Sequence, residues 1–122
     1  MTNNEGDARP HVLVVEDLDW IRALMRDSLE AHGYSVAEAR DDREAVASAE
    51  HSRPALVLTE EHLPTFDALL LSARTHPALA GVHVAVINPD LEEGSRYGDA
   101  HVLPDYEHLE HLLAPHVPLK ED

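Results

Sequence analysis

Five short apolar runs punctuate the chain, and between them apolar residues recur at three- and four-residue intervals. The runs are His11–Val15, Tyr34–Ala37, Ala55–Thr59, Val82–Ile87 and Ala100–Leu103. The strongest, Val12-Leu13-Val14-Val15 and Ala55-Leu56-Val57-Leu58-Thr59, lack polar alternation, as strands covered on both faces do. The intervening segments predict helices over Leu18–Ala31, Arg43–His51 and Phe66–Thr75, and a last one that starts at Pro104 and ends by Pro115. In the first helix Ile21, Leu24, Ser28 and Leu29 fall on one face. The second has a thin stripe of Ala45, Val46 and Ala49, and the third uses Leu69, Leu70 and Ala73. Asp17 or Asp19 is expected to cap the first helix, His32-Gly33 to stop it, and Asp41 or Asp42 to cap the second. Residues 88–98 hold Pro89, Gly94 and Gly98 and few apolar residues. A fourth helix there would be short or frayed, since each interior Gly costs about 1 kcal/mol relative to Ala.

Strands that alternate with helical patterns build a parallel sheet with helices on both faces. The expected fold class is α/β: a doubly wound, flavodoxin-like (βα)5 unit with strand order 2-1-3-4-5. Residues 11–116 make one domain, a polar and disordered tail precedes it over residues 1–10, and residues 117–122 read as a tail or the start of a linker.

Ligands and chemistry in such sheets sit beyond the carboxyl ends of the strands. Both strong runs end in acids: Glu16-Asp17 after the first, Glu60-Glu61 after the third. If these strands are neighbours, the carboxylates form one cluster. The order and spacing of these elements resemble the receiver domain of two-component response regulators. Glu16 and Asp17 match that family's acidic pair, and Leu63-Pro64 matches the Met-Pro that follows its phosphoacceptor aspartate. The resemblance covers roughly His11 to His116.

Three positions depart from the family pattern. Glu60 stands where the phosphoacceptor aspartate would be, Asn88 where a Thr or Ser would be, and Asp105 where a lysine would be; the chain's one lysine is Lys120. The extra methylene of Glu60 moves its carboxylate outward, and a misplacement of about 1 Å can lower a rate ~100-fold. The resemblance therefore implies a degenerate, aspartate-less receiver that is not an enzyme. It would act in signal transduction or transcriptional regulation through a protein partner or homodimer, without phosphoryl transfer. Glu60 is alternatively read as imitating the phosphorylated aspartate. The family's output face, made by the fourth helix, fifth strand and fifth helix, would here carry Arg96, Tyr97, Asp99, His101, Tyr106 and Glu110. Glu16, Asp17 and Glu60 offer hard oxygen ligands for weak Mg²⁺ binding, although no functional cofactor is expected. The competing reading is a pseudo-receiver that senses a small molecule or metal. Trp20, early in the first helix, is expected to cover part of the acidic pocket or the end of the sheet.

Composition narrows the partners. A net charge of −15 with nine scattered Lys and Arg residues argues against direct nucleic-acid binding. No apolar run approaches the ~18 residues of a spanning helix, the N-terminus lacks a signal-peptide pattern, and there are no cysteines. A cytoplasmic location is expected. Among ten histidines, His108 and His111 sit at i, i+3 spacing beside Glu107 and Glu110, which reads as a solvated helix face rather than a metal site.

Overall fold

Successive strand residues face opposite sides of a sheet, and in this chain both sides are apolar. The computed structural model describes residues 11–88, 96–97 and 100–103. Its elements are β1 (His11–Val15), α1 (Asp19–Ala31), β2 (Ser35–Ala39), α2 (Asp42–His51), β3 (Leu56–Glu60), α3 (Phe66–Thr75), β4 (His83–Ile87), β5 (Arg96–Tyr97) and β6 (Ala100–Leu103). The sheet order is β2-β1-β3-β4-β6-β5. All pairings are parallel except β5 with β6, an antiparallel ladder of Arg96 with His101 and Tyr97 with Ala100. The five parallel strands have the expected 2-1-3-4-5 order once β6 is counted as the fifth.

Residue parity divides the core in two. Leu13, Val15, Val57, Val84 and Val86 face one side, where α2 and α3 contribute Ala45, Ala49, Phe66, Leu69 and Ala73. Val12, Val14, Leu56, Leu58, Ala85 and Ile87 face the other, against Met25 and Leu29 of α1 and Tyr34. The strand residues of β1 and β3 are almost entirely withdrawn from water, which at roughly 25 cal/mol per Å² is the main stabilising term of the fold.

Local chemistry sets the helix ends. Asp41 caps α2 by accepting the Glu44 N–H at 2.9 Å. At the end of α1, Gly33 adopts φ 97°. There the Gly33 N–H bonds the Glu30 carbonyl and the Tyr34 N–H bonds the Leu29 carbonyl, both at 3.1 Å. This is the paired C-terminal closure that favours glycine at the left-handed position, and it turns Tyr34 into the core beside Leu29.

Several expectations need correction. The α1 N-cap is Leu18, and neither Asp17 nor Asp19 caps the helix; Glu16 accepts the N–H of Leu18 itself at 3.0 Å, and no side chain bonds the first-turn N–H groups. Met25 rather than Leu24 joins Ile21 and Leu29 on the buried face, because a four-residue step from Ile21 stays in line with Leu29. Trp20 is 69% exposed, so it covers neither the acidic site nor the sheet end. The second strand starts at Ser35, since Tyr34 belongs to the helix closure. Within the weak 88–98 stretch, Arg96–Tyr97 is a strand, not part of a helix. The expected last helix and both tails lie outside the described residues, as do residues 89–95.

Replacing Gly33 with Ala places a Cβ in the left-handed region, at a cost of about 1–2 kcal/mol. Urea unfolding of Gly33→Ala should show a lower midpoint with an unchanged slope; an unchanged midpoint would mean the closure does not need glycine.

Candidate functional site

The register between β1 and β3 builds the site. Val12 pairs with Leu56, Leu13 with Val57 and Val14 with Leu58. The same offset continued by two residues sets Glu16 beside Glu60, on the α1 side of the sheet. Thr59 reinforces the alignment by donating its hydroxyl to the Val15 carbonyl at 3.0 Å. The Glu16 N–H bonds the Ala39 carbonyl at 2.9 Å, and Arg22 Nη1 bonds the Glu16 carbonyl at 2.8 Å. The backbone under the acid is thus fixed from both flanks.

Both acids are buried: Glu16 is 0% exposed and Glu60 1%. Carboxylates rarely go so deep without partners, because burial penalises the charged form. Glu16 Oε2 accepts the Leu18 N–H, but Glu16 Oε1 and Glu60 Oε1 have no hydrogen-bond partner among the described residues. His62 Nε2 stands 2.9 Å from Glu60 Oε1, near enough for charge pairing but without hydrogen-bond geometry.

A single proton resolves the shortage. Burial, then the hydrogen bond to Glu60, pushes the Glu16 carboxyl up to about 8, against a smaller opposing pull from the Leu18 N–H. Glu60 is also raised by burial; the hydrogen bond it accepts from Glu16 works the other way, and the Asp17 charge adds to the rise. Burial and mutual proximity raise both carboxyls, so the pair as a unit favours the uptake of a proton.

The structure therefore brings together Glu16, Asp17 and Glu60 of the predicted pocket. Asn88 follows β4 directly, one residue beyond Ile87, which pairs with Glu60 in the ladder. Asp105 lies outside the described residues, as do Asp99, Tyr106 and Glu110 of the predicted partner face. Arg96, Tyr97 and His101 lie together on the β5–β6 ladder. Sequence reasoning assigned no role to His62. It lies in the turn that follows β3, where no strand periodicity marks it. A shallow cleft of about 650 Å³, lined by Ala49, Glu50, Arg53, His76, Pro77 and Ala78, lies at the other end of the sheet and shares no residue with the acids.

With this geometry in place, comparison with known proteins decides the family. The sequence profile of the response regulator receiver domain matches residues 12–88. The chain belongs to the response regulator receiver family. It is similar to a gliding motility regulatory protein of Myxococcus xanthus, 33% identical over 90 residues, which are 72% of this chain and 12% of that protein. It also resembles the alkaline phosphatase synthesis transcriptional regulatory protein PhoP of Bacillus subtilis, 38% identical over 58 residues, 48% of this chain and 24% of that one. The receiver thus spans about a quarter or less of these relatives. Among solved structures, the chemotaxis protein CheY4 of Vibrio cholerae superposes with a TM-score of 0.74 at 23% identity, covering 89% of this chain and 99% of that one.

The Mg²⁺ that the family resemblance implies does not fit the residues present. Among the described residues, no group of three or more His, Cys, Asp or Glu side chains is arranged to hold a metal ion. Glu16 Oε2 is taken up by the Leu18 N–H, whereas Mg²⁺ demands several oxygens in near-octahedral array. No helix among the described residues is long and apolar enough to cross a membrane.

The folded receiver holds the Glu16 proton more tightly than the unfolded chain, so folding takes up a proton between the ordinary value of 4.5 and about 8. That contribution is fully present below the lower value and is lost as pH rises through the upper one. Glu16→Gln keeps a donor toward Glu60 and cannot titrate. Relative to wild type it should gain about 1–3 kcal/mol between the acid and the alkaline end of that window. Denaturant unfolding at both ends reads the difference; parallel losses in the two proteins would rule out the shared proton.

Proposed function

We propose that this receiver signals through protein contact and without phosphoryl transfer. The observation that carries the reading is the state of the acid at the end of β3. It is a glutamate, 1% exposed, packed beside the buried Glu16 at the end of β1 and approached by His62. A phosphoacceptor needs an ionised oxygen open to an incoming phosphorus, a cation to offset the developing charge and a positioned hydrogen-bond donor. The described residues do not form the metal group. By resemblance, Asp105 occupies the place of the lysine and Asn88 that of the hydroxyl.

In this reading the module stays in one state as far as phosphate is concerned. Regulation would come from what it binds or from how much of it is present. Its role is in signal transduction or transcriptional regulation, in the cytoplasm, as a partner-binding or self-associating unit. By the family resemblance, the β5–β6 ladder with Arg96, Tyr97 and His101 would be part of the contact face. Glu60 in this role is a fixed, partly neutralised group rather than a switch.

Incubation with acetyl phosphate and Mg²⁺, followed by intact mass measurement, should show no phosphoryl adduct, and native size should match the untreated protein. An adduct that disappears in Glu60→Gln would identify Glu60 as an acceptor and overturn the proposal.

A further inference from the structure

The loop between α3 and β4 is held from two sides, its amides by one residue and its carbonyls by another. The N–H groups of Ala78, Leu79 and Ala80 all end on His76. Leu79 and Ala80 donate to the His76 carbonyl at 3.0 and 2.9 Å, and Ala78 donates to His76 Nδ1 at 3.1 Å. From the other side, Arg53 Nη1 donates to the Pro77 and Ala78 carbonyls at 3.4 and 3.2 Å, and Nη2 donates to that of Ala80. Gly81 follows at φ 85°, where an added Cβ would stand 3.4 Å from Arg53 Nη2. Leu79 pins the middle of the loop in the core.

The Ala78 contact fixes the protonation state of the ring. A backbone N–H only donates, so Nδ1 carries the lone pair and the neutral ring has its hydrogen on Nε2. Nε2 stands 3.8 Å from Glu50 Oε2 at the end of α2, beyond hydrogen-bond reach. The neutral ring therefore serves the loop and leaves the carboxylate aside. Protonation reverses that preference. An imidazolium has two donors and no acceptor, so the Ala78 N–H loses its partner while the positive ring is drawn to Glu50. The charged groups that face His76 across the cleft are Glu50 of α2 and Arg53, which precedes β3. Arg74 is the charged neighbour on α3 itself. Both arginines repel a second cation, and Glu50 alone attracts it.

We infer that His76 is a pH-operated catch between α2 and α3. When neutral, it holds residues 77–80 against the end of α3. When protonated, it releases the Ala78 N–H and turns to Glu50, joining the two helices across the cleft and loosening the loop that Arg53 grips. Histidine is the side chain that changes charge near neutral pH. The catch lies at the end of the sheet away from Glu16 and Glu60, so it goes beyond the contact-module reading and does not depend on it. It gives the receiver a pH-dependent shape on the α2–α3 face.

Nuclear magnetic resonance on the whole chain, at about pH 8 and about pH 5, tests the catch. At the upper pH the His76 ring should show the Nε2–H tautomer in long-range proton–nitrogen correlations; the Nδ1–H tautomer overturns the inference. At the lower pH the Ala78 amide, corrected for intrinsic exchange, should lose about fivefold in protection, the loss expected for one hydrogen bond. The Ser52 amide, which bonds the Ser48 carbonyl at the end of α2, should keep its protection. Equal losses at both amides would mean that acid loosens this whole end of the sheet, and unchanged protection at Ala78 would mean that the ring never leaves; either result overturns the catch. In His76→Gln, which cannot titrate, the Ala78 amide should be indifferent to pH, and a loss that persists there assigns the effect elsewhere. Glu16→Gln should retain the full Ala78 response; its disappearance would trace the effect to the acid pair instead. A structure determined at the acid end should bring Nε2 within about 3 Å of Glu50 Oε2, and a ring still seated on Ala78 would overturn the exchange of partners.

Discussion

The parallel pairing of β1 with β3 is the constraint on which the rest depends. Val12 to Val15 and Leu56 to Leu58 are shut off from water on both sides, so a slip of one residue would exchange every side chain between two different cores. The register is therefore strongly specified, and it is carried past the last rungs by the Thr59 hydroxyl. Two glutamates that lie far apart in sequence become neighbours as a by-product of packing valines and leucines. The acid pair is an obligatory consequence of the sheet, not a separate feature added to it.

What a receiver does with these positions depends on which cation offsets the clustered negative charge. Two ionised carboxylates side by side in a buried place are costly, several kcal/mol each after relaxation. A metal ion, a lysine or a proton can relieve that cost. Among the described residues no metal-holding group is present, and His62 reaches Glu60 from an exposed position. Proton uptake by the pair is the internal remedy, since burial raises both carboxyls.

Most of the architecture was legible in the residues. The unbroken runs at Val12–Val15 and Leu56–Thr59 announce buried parallel strands, and Ala45, Ala49, Leu69 and Ala73 lie on the core faces that their spacing implies. Gly33 marks the end of α1 as expected. The misreadings share a cause: adjacent residues of similar type. Leu24 and Met25 both suit a helical stripe, and only the packed sheet selects Met25. Asp17 and Asp19 are both good caps by type, yet the side chain that reaches the helix start belongs to Glu16. The acids were placed at the strand ends correctly, but their depth was hidden, since sequence shows position along a strand and not how far neighbouring elements close over it. For the same reason Trp20 was expected to cover part of the acidic pocket or the end of the sheet, and instead faces water.

The two outer strands of the sheet differ in kind. On one side the last rung is the two-residue antiparallel strand β5, and on the other it is β2. A strand as short as Arg96–Tyr97 offers a further chain very little to pair with. The β2 margin carries Glu38, clasped by Arg22 and Arg26 of α1. Charged side chains and truncated outer strands are the means by which sheets resist joining one another end to end. A protein whose proposed role is to be recognised by other chains thus keeps its backbone from becoming the point of recognition, and leaves that role to side chains.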